Sequence, residues 1–152
     1  MDKPEYLYHG SSKLFDIIKP FQAYDWANEQ GNQKAVFATA IEKIAYAFAL
    51  GTIPDETGNC GRIINPKYSK EFKMIFHRGH PNFGGKGYVY KMSSEGFVHA
   101  GGEQWVNPLP VVPVEIKEIE VDDYLHLFRY ATEEEREDIE KDITDALRDK
   151  LE

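Results

Sequence analysis

Short apolar segments separated by turn-forming residues are the dominant pattern of this 152-residue chain. Five of these segments predict strands, because they are rich in Val, Ile, Phe and Tyr and lie between Gly, Pro, Asn or Ser residues. They are residues 5–9, 35–39, 71–78, 87–92 and 111–121. The last of them shifts its apolar alternation near Lys117, which predicts a bulge there. Few helices fit between strands so closely spaced, so the pattern predicts an α+β domain built around an antiparallel sheet.

The clearest helix within the body of the domain is predicted over residues 40–51. Its apolar side chains recur at steps of three and four residues, as they do on one face of a helix. We expect that face to lie in the core, and it comprises Ile41, Ile44, Ala45 and Phe48.

The C-terminal segment, residues 131–152, predicts an acidic amphipathic helix that follows a body of residues 1–130 within a single domain. Thr132 and Glu135 have the spacing of a capping box, in which hydroxyl and carboxylate each accept a hydrogen bond from a backbone amide. The apolar side chains recur every four residues, at Ile139, Ile143 and Leu147. Such a narrow stripe docks on the body or pairs with another chain, and we expect docking.

Charge and composition narrow the function classes. The net charge is −8, and residues 132–152 hold ten of the 26 acidic residues but only four of the 18 basic ones. A basic stripe for gripping a phosphate backbone is missing, so nucleic acid is not an expected partner. The apolar runs are too short for a membrane helix, and the first residues lack the apolar region of a signal peptide. With Cys60 as the single cysteine, a cytoplasmic protein is expected.

Metal and nucleophile motifs are also missing from the sequence. His77, His80 and His99 are not spaced as ligands on one helix face, and Cys60 has no neighbouring cysteine. The "GGKG" run at residues 84–87 is too short for a phosphate-binding loop and leads into a predicted strand. We therefore expect no protein-bound metal and no P-loop.

Three elements, in a fixed order, resemble the ADP-ribosyltransferase superfamily. They are "LYHGS" near the start, "VFATAIEKIAYAFA" in the middle and "GEQWVNPLPVVPV" late in the chain. The resemblance implies two apposed, mostly antiparallel sheets that frame a cleft, with a few helices, and NAD as a cleaved substrate. It implies a catalytic role for Glu103, on a late strand, and supporting positions at Gln104 and Trp105. It also implies an NAD site formed by His9, Gly10, Ser11, Phe37, Thr39 and Tyr46.

The chemistry of these residue types suits that reaction. Cleavage of the bond between nicotinamide and ribose leaves a positively charged sugar, which a carboxylate such as that of Glu103 stabilises in the transition state. His9 is expected to donate a hydrogen bond to a ribose or to the rest of the cofactor. Gly10 has no side chain, so the nicotinamide amide could approach the backbone there, and aromatic side chains such as Tyr46 could stack on its ring.

The resemblance leaves the acceptor open. Polymerase-type members carry a tyrosine where this chain has Val36, and arginine-modifying toxins carry Glu or Gln where it has Gly101. The expected function is mono-ADP-ribosyl transfer to an unknown protein or small molecule, or NAD hydrolysis. The alternatives are a non-catalytic nucleotide-binding or protein-interaction module with the same fold, and an RNA 2′-phosphotransferase.

Overall fold

The computed structural model describes residues 3–22, 34–64 and 73–151, and these form an α+β fold, as the sequence predicts. The strands are β1 (Tyr6–Ser11), β2 (Phe21–Gln22), β3 (Lys34–Ala38), β4 (Gly61–Ile63), β5 (Met74–Arg78), β6 (Lys86–Ser93), β7 (Val98–His99), β8 (Trp105–Asn107), β9 (Glu115–Glu120) and β10 (Phe128–Tyr130). The helices are α1 (Glu42–Phe48), a 3₁₀ segment (Val121–Leu127) and α2 (Glu133–Leu151). Residues 22–34, whose mostly polar sequence predicts a loop, lie almost entirely outside the described residues.

The strands form three small sheets instead of the two that the resemblance implies. The first has the order β1–β6–β9 and is antiparallel throughout. The second has the order β10–β5–β4, with β10 parallel to β5, and the third has the order β2–β3–β8–β7. One antiparallel bridge, between Tyr8 and Thr39, joins the first sheet to the end of β3 in the third.

The first and third sheets share a core. Leu7 and Tyr90 from the first sheet are buried against Val36, Ala38 and Trp105 from the third. These residues alternate along their strands with residues that face the other way, as the period of two in a strand requires. The face of β1 that bears Leu7 therefore packs toward the third sheet, and the opposite face is free for a helix.

That opposite face is covered by α1, and two glycines allow the close approach. A Cβ atom on Gly10 would overlap the backbone oxygen of Ala45, and one on Gly87 would overlap that of Ala49. The predicted apolar face of this helix is therefore wrong in part. Ala45 and Ala49 are buried against the sheet, whereas Ile41 and Phe48 remain 39% and 38% exposed. Glycines of the sheet face alanines of α1, because larger side chains would not fit between a helix backbone and a sheet packed this closely.

Two details of the strands differ from the sequence-based expectation. The first strand continues through Gly10 to Ser11 instead of ending at the glycine. The pairing between β6 and β9 runs without a shift from Lys86 opposite Glu120 to Lys91 opposite Glu115. The expected bulge near Lys117 is therefore wrong, and β9 is a regular edge strand.

The capping box at the start of α2 is confirmed. The Thr132 amide donates to Glu135 Oε1 at 2.9 Å, and the Glu135 amide donates to Thr132 Oγ1 at 3.1 Å. The helix docks on the body, because Ile139 is fully buried and Arg78 of β5 forms an ion pair of 2.6 Å with Glu140. The side chain of Leu147 lies outside the described residues. Among the helices described, none has the length and apolarity that a bilayer crossing requires.

Candidate functional site

His9 lies on the same face of β1 as Leu7, and one hydrogen bond fixes the tautomer of its ring. Its Nδ1 is 2.7 Å from the backbone oxygen of Phe37, and a carbonyl can only accept, so Nδ1 carries the hydrogen. Burial lowers the pKa of His9, which keeps the ring uncharged at neutral pH. Nε2 is then a hydrogen-bond acceptor. The expectation that His9 donates to a ligand is thereby changed: the free nitrogen of this ring accepts.

Aromatic rings form the wall beside His9. Its ring centroid is 5.9 Å from that of Tyr90 and 6.4 Å from that of Phe21. Tyr90 is held firmly, since its hydroxyl donates to the Lys13 carbonyl and accepts from the Phe15 amide, both at 2.7 Å. Burial raises the pKa of Tyr90, so its hydroxyl keeps its proton. Sequence reasoning missed Tyr90 and Phe21, because only the pairing of His9 with Tyr90 across β1 and β6 identifies this wall.

Gly10 presents its backbone at the edge of the first sheet. The Tyr8 amide donates to the Thr39 carbonyl at 2.8 Å, and the Thr39 amide donates to the Tyr8 carbonyl at 2.9 Å. Backbone groups of alternate residues point to the same side of a strand. The N–H and C=O of Gly10 therefore point away from β6, past the Tyr8–Thr39 bridge. Within the described part of the chain, no hydrogen-bond partner reaches them on that side.

The other residues implied for NAD binding have local roles. Thr39 is buried, and its Oγ1 accepts from the Ile41 amide at 3.1 Å where the chain enters α1. Ser11 Oγ accepts from the Lys13 amide at 3.1 Å and shapes the end of β1. The Phe37 ring points to the face of β3 opposite to that of Val36 and Ala38. On that face its centroid lies 5.5 Å from that of Phe21. The carbonyl of Phe37, and not its ring, contacts His9.

Tyr46 is not part of this group. It belongs to α1, which covers the face of the sheet opposite to the His9 side chain. Its ring stacks on Tyr124 with centroids 4.9 Å apart, and Lys117 Nζ lies 5.3 Å from its centroid. A shared pocket for His9 and Tyr46 would have to pass through the sheet, so the structure does not bring these two predicted residues together.

Glu103 lies in the turn between β7 and β8, and not on a strand as the resemblance implies. The Ala100 amide donates to the Gln104 carbonyl at 2.9 Å, and the Gln104 amide donates to the Gly101 carbonyl at 3.0 Å. Gly101 and Gly102 have φ of 88° and 53°, in the region that favours glycine. The Glu103 side chain is exposed, in contrast to that of Trp105, which begins β8 and is 7% exposed.

The turn lies at the same end of β3 as His9. Trp105 is paired with Ala38, the last residue of β3, and the next residue, Thr39, forms the bridge to Tyr8. The start of β8 and the middle of β1 therefore flank one short stretch of backbone. His9 and the turn that carries Glu103 approach the same corner of the fold from two sheets.

Arg62 is a cation near the end of β1 that sequence reasoning also missed. Its Nη1 donates to the carbonyls of Phe48 at 3.2 Å and Gly51 at 3.4 Å, and its guanidinium lies 4.8 Å from the centroid of the Phe48 ring. Burial lowers the pKa of Arg62 to about 10. Its main role is to satisfy the carbonyls that end α1.

Comparison with protein-family models, curated proteins and solved structures found no match to this chain. In the three described ranges, His, Cys, Asp and Glu side chains nowhere form a group of three that could hold a metal ion.

Proposed function

We propose that this chain has an ADP-ribosyltransferase-like fold and cleaves NAD, transferring ADP-ribose to a protein or small-molecule acceptor or to water. The observation that carries the proposal is that His9 and Gly10 are neighbours in β1. One residue offers a neutral imidazole nitrogen, and the next offers an amide and a carbonyl at a sheet edge that no other described residue pairs with. This combination supports recognition of a ligand with both a sugar hydroxyl and a carboxamide.

The nicotinamide carboxamide is the complement of the Gly10 backbone. It has an N–H donor and a carbonyl acceptor side by side, as a peptide group does, so it can extend the edge of β1 by two hydrogen bonds. His9 Nε2 then accepts from a ribose hydroxyl, because Nδ1 is committed to Phe37. The Phe21 ring, which is 46% exposed and lies 6.4 Å from the His9 ring, gives this ligand an apolar surface.

Glu103 supplies the charge that the reaction requires. As the bond between nicotinamide and ribose breaks, positive charge develops on the sugar, and a nearby carboxylate lowers the barrier. The turn of Glu103 lies at the same corner of the fold as His9, and this supports a carboxylate that meets the ligand there. The proton balance is simple, since nicotinamide leaves neutral and the acceptor's proton is lost to the carboxylate or to water.

Release of nicotinamide from NAD tests the proposal. Wild-type protein should release nicotinamide, and Glu103→Gln, which removes charge but little volume, should lower the rate by at least about a hundredfold. Glu95→Gln is the matched control, because Glu95 is also an exposed glutamate that precedes β7. Equal rates for wild type and Glu103→Gln would refute the assignment of Glu103.

A non-catalytic NAD-binding module is the second candidate. The exposure of Glu103 favours it, since a carboxylate in water stabilises a neighbouring charge less well than one in a dry site. Binding of NAD by calorimetry without release of nicotinamide would identify this case. Release of nicotinamide would exclude it.

A further inference from the structure

The side chain of His99 ties the turn that carries Glu103 to the core. Its Nε2 lies 2.8 Å from the backbone oxygen of Gly102, the residue immediately before Glu103. Its ring also packs against the edge of Trp105, with centroids 5.1 Å apart. Trp105 is buried in the core between the first and third sheets. His99 therefore connects a fixed indole to the backbone of an exposed turn.

We infer that His99 is a positioning residue for Glu103: its hydrogen bond to Gly102 holds the carboxylate in one place at the mouth of the cleft. The catalytic part of this inference rests on the proposed function. The need for such a restraint follows from the turn itself. Gly101 and Gly102 immediately precede Glu103. Glycine has the largest backbone freedom of any residue type, so the backbone that leads into Glu103 has little intrinsic restraint. The backbone hydrogen bonds that close the turn among the described residues both involve Gln104, and neither involves Gly102 or Glu103.

The direction of the hydrogen bond follows from its acceptor. The Gly102 oxygen can only accept, so Nε2 of His99 carries the hydrogen and donates it. The side chain therefore acts on the turn through geometry and not through proton transfer.

Cleavage by a protease that cuts after glutamate measures the restraint without any reference to activity. The rate of proteolysis in a turn follows the population of the turn's open form. Loss of one hydrogen bond between a side chain and the backbone raises that population a few-fold. His99→Phe keeps a ring against Trp105 but loses the donor. We expect cleavage after Glu103 to become about fivefold faster, while cleavage after glutamates elsewhere in the chain keeps its wild-type rate.

Two further variants make the result decisive. His99→Gln retains an N–H donor of similar reach and should return the cleavage rate to within about twofold of wild type. His126→Phe is the control, because His126 is an exposed histidine beside another aromatic ring, that of Tyr124. Unchanged cleavage in His99→Phe, or equal acceleration in His99→Phe and His99→Gln, would overturn the role of the hydrogen bond.

Kinetics separate this inference from the proposed function. If wild-type protein releases nicotinamide, His99→Phe should lower kcat by about tenfold or more while KM for NAD stays within about twofold, since the carboxylate acts mainly in the transition state. Wild-type kcat in His99→Phe would overturn the positioning role. If wild-type protein releases no nicotinamide, the proposed reaction fails, and the protease experiment still decides whether His99 holds the turn.

Discussion

His9 donates a hydrogen bond of 2.7 Å from Nδ1 to the backbone oxygen of Phe37, and this bond spans two sheets. It selects one tautomer of the imidazole and turns Nε2 into an acceptor. It also anchors β1 to β3 close to the place where the Tyr8–Thr39 bridge joins the same strands. This hydrogen bond thus links residues 28 positions apart in the chain, and it determines that Nε2 of His9 is the nitrogen that can accept a hydrogen bond from a ligand.

We predict that stability falls as the pH decreases from 7 to 5. Burial lowers the pKa of both His9 and His77, so each binds a proton more readily in the unfolded chain, near pH 6.5. The unfolded state then holds more protons below pH 6.5, and the free energy of unfolding decreases by up to about 1.4 kcal/mol per pH unit for each histidine. Asp55 and Glu135, with pKa values of about 2, lose their contribution only below about pH 4.

Urea denaturation at several pH values measures this effect, and His77→Phe identifies the contribution of one residue. His77 is buried, and its Nδ1 has no hydrogen-bond partner in the part of the chain that the structure describes. The charged groups that act on it are Glu140, Arg78 and Arg136. The variant should reduce the slope of stability against pH between 5 and 6.5. The same slope in wild type and variant would show that His77 does not titrate with unfolding.

The second prediction concerns the contact between β1 and α1. Gly10→Ala should destabilise the fold by about 1–3 kcal/mol, because the added methyl group overlaps the backbone oxygen of Ala45 and the helix must move. Ser11→Ala, the next position in the same strand, should change the free energy of unfolding by less than about 0.5 kcal/mol. Thermal or urea unfolding measures both. A neutral Gly10→Ala would mean that α1 does not lie this close to the strand.

The third prediction compares two threonines of the C-terminal helix region. Thr132→Ala should cost about 1 kcal/mol, because Thr132 Oγ1 accepts the Glu135 amide in the capping box. Thr144→Ala should be neutral or slightly stabilising, since Thr144 lies in the helix interior, where alanine is preferred, and bonds only to the Glu140 carbonyl. Urea denaturation of the two variants checks the order. The opposite order would contradict the capping geometry.

The features that could be predicted from sequence are those that depend on neighbours in the chain. The capping box needs only the spacing of Thr132 and Glu135, and it is confirmed by two hydrogen bonds. The α+β class and the longer strands, five of the ten described, follow from alternation and turn residues in the same way. The third sheet was not predicted, because the assignment of short strands to sheets depends on contacts between distant residues.

The faces of α1 and the site residues depend on such contacts. The alanines of α1 are buried because Gly10 and Gly87, on two different strands, leave room for its backbone. An apolar-stripe rule favours Ile41 and Phe48 instead, because it considers the helix alone. The glycine pair before Glu103 could have indicated a turn, since two successive glycines rarely continue a strand.

The fourth prediction follows from the position of Tyr46. Tyr46→Phe removes the hydroxyl that raises the pKa of Lys117 but leaves the stacking on Tyr124 in place. Because Tyr46 lies on the α1 side of the sheet, the dissociation constant for NAD should stay within about twofold of wild type. Calorimetric titration checks this. A loss of tenfold or more would show that the ligand reaches the α1 side.

The most direct test of the proposed site is calorimetric titration of NAD into wild-type protein and into His9→Phe. The variant keeps a ring of similar size between Tyr90 and Phe21 but has neither the bond to Phe37 nor the Nε2 acceptor. The account predicts that wild type binds NAD and that His9→Phe binds it at least about tenfold more weakly, while remaining folded by circular dichroism. Absence of binding to wild type, or equal affinity in a folded His9→Phe, would contradict it.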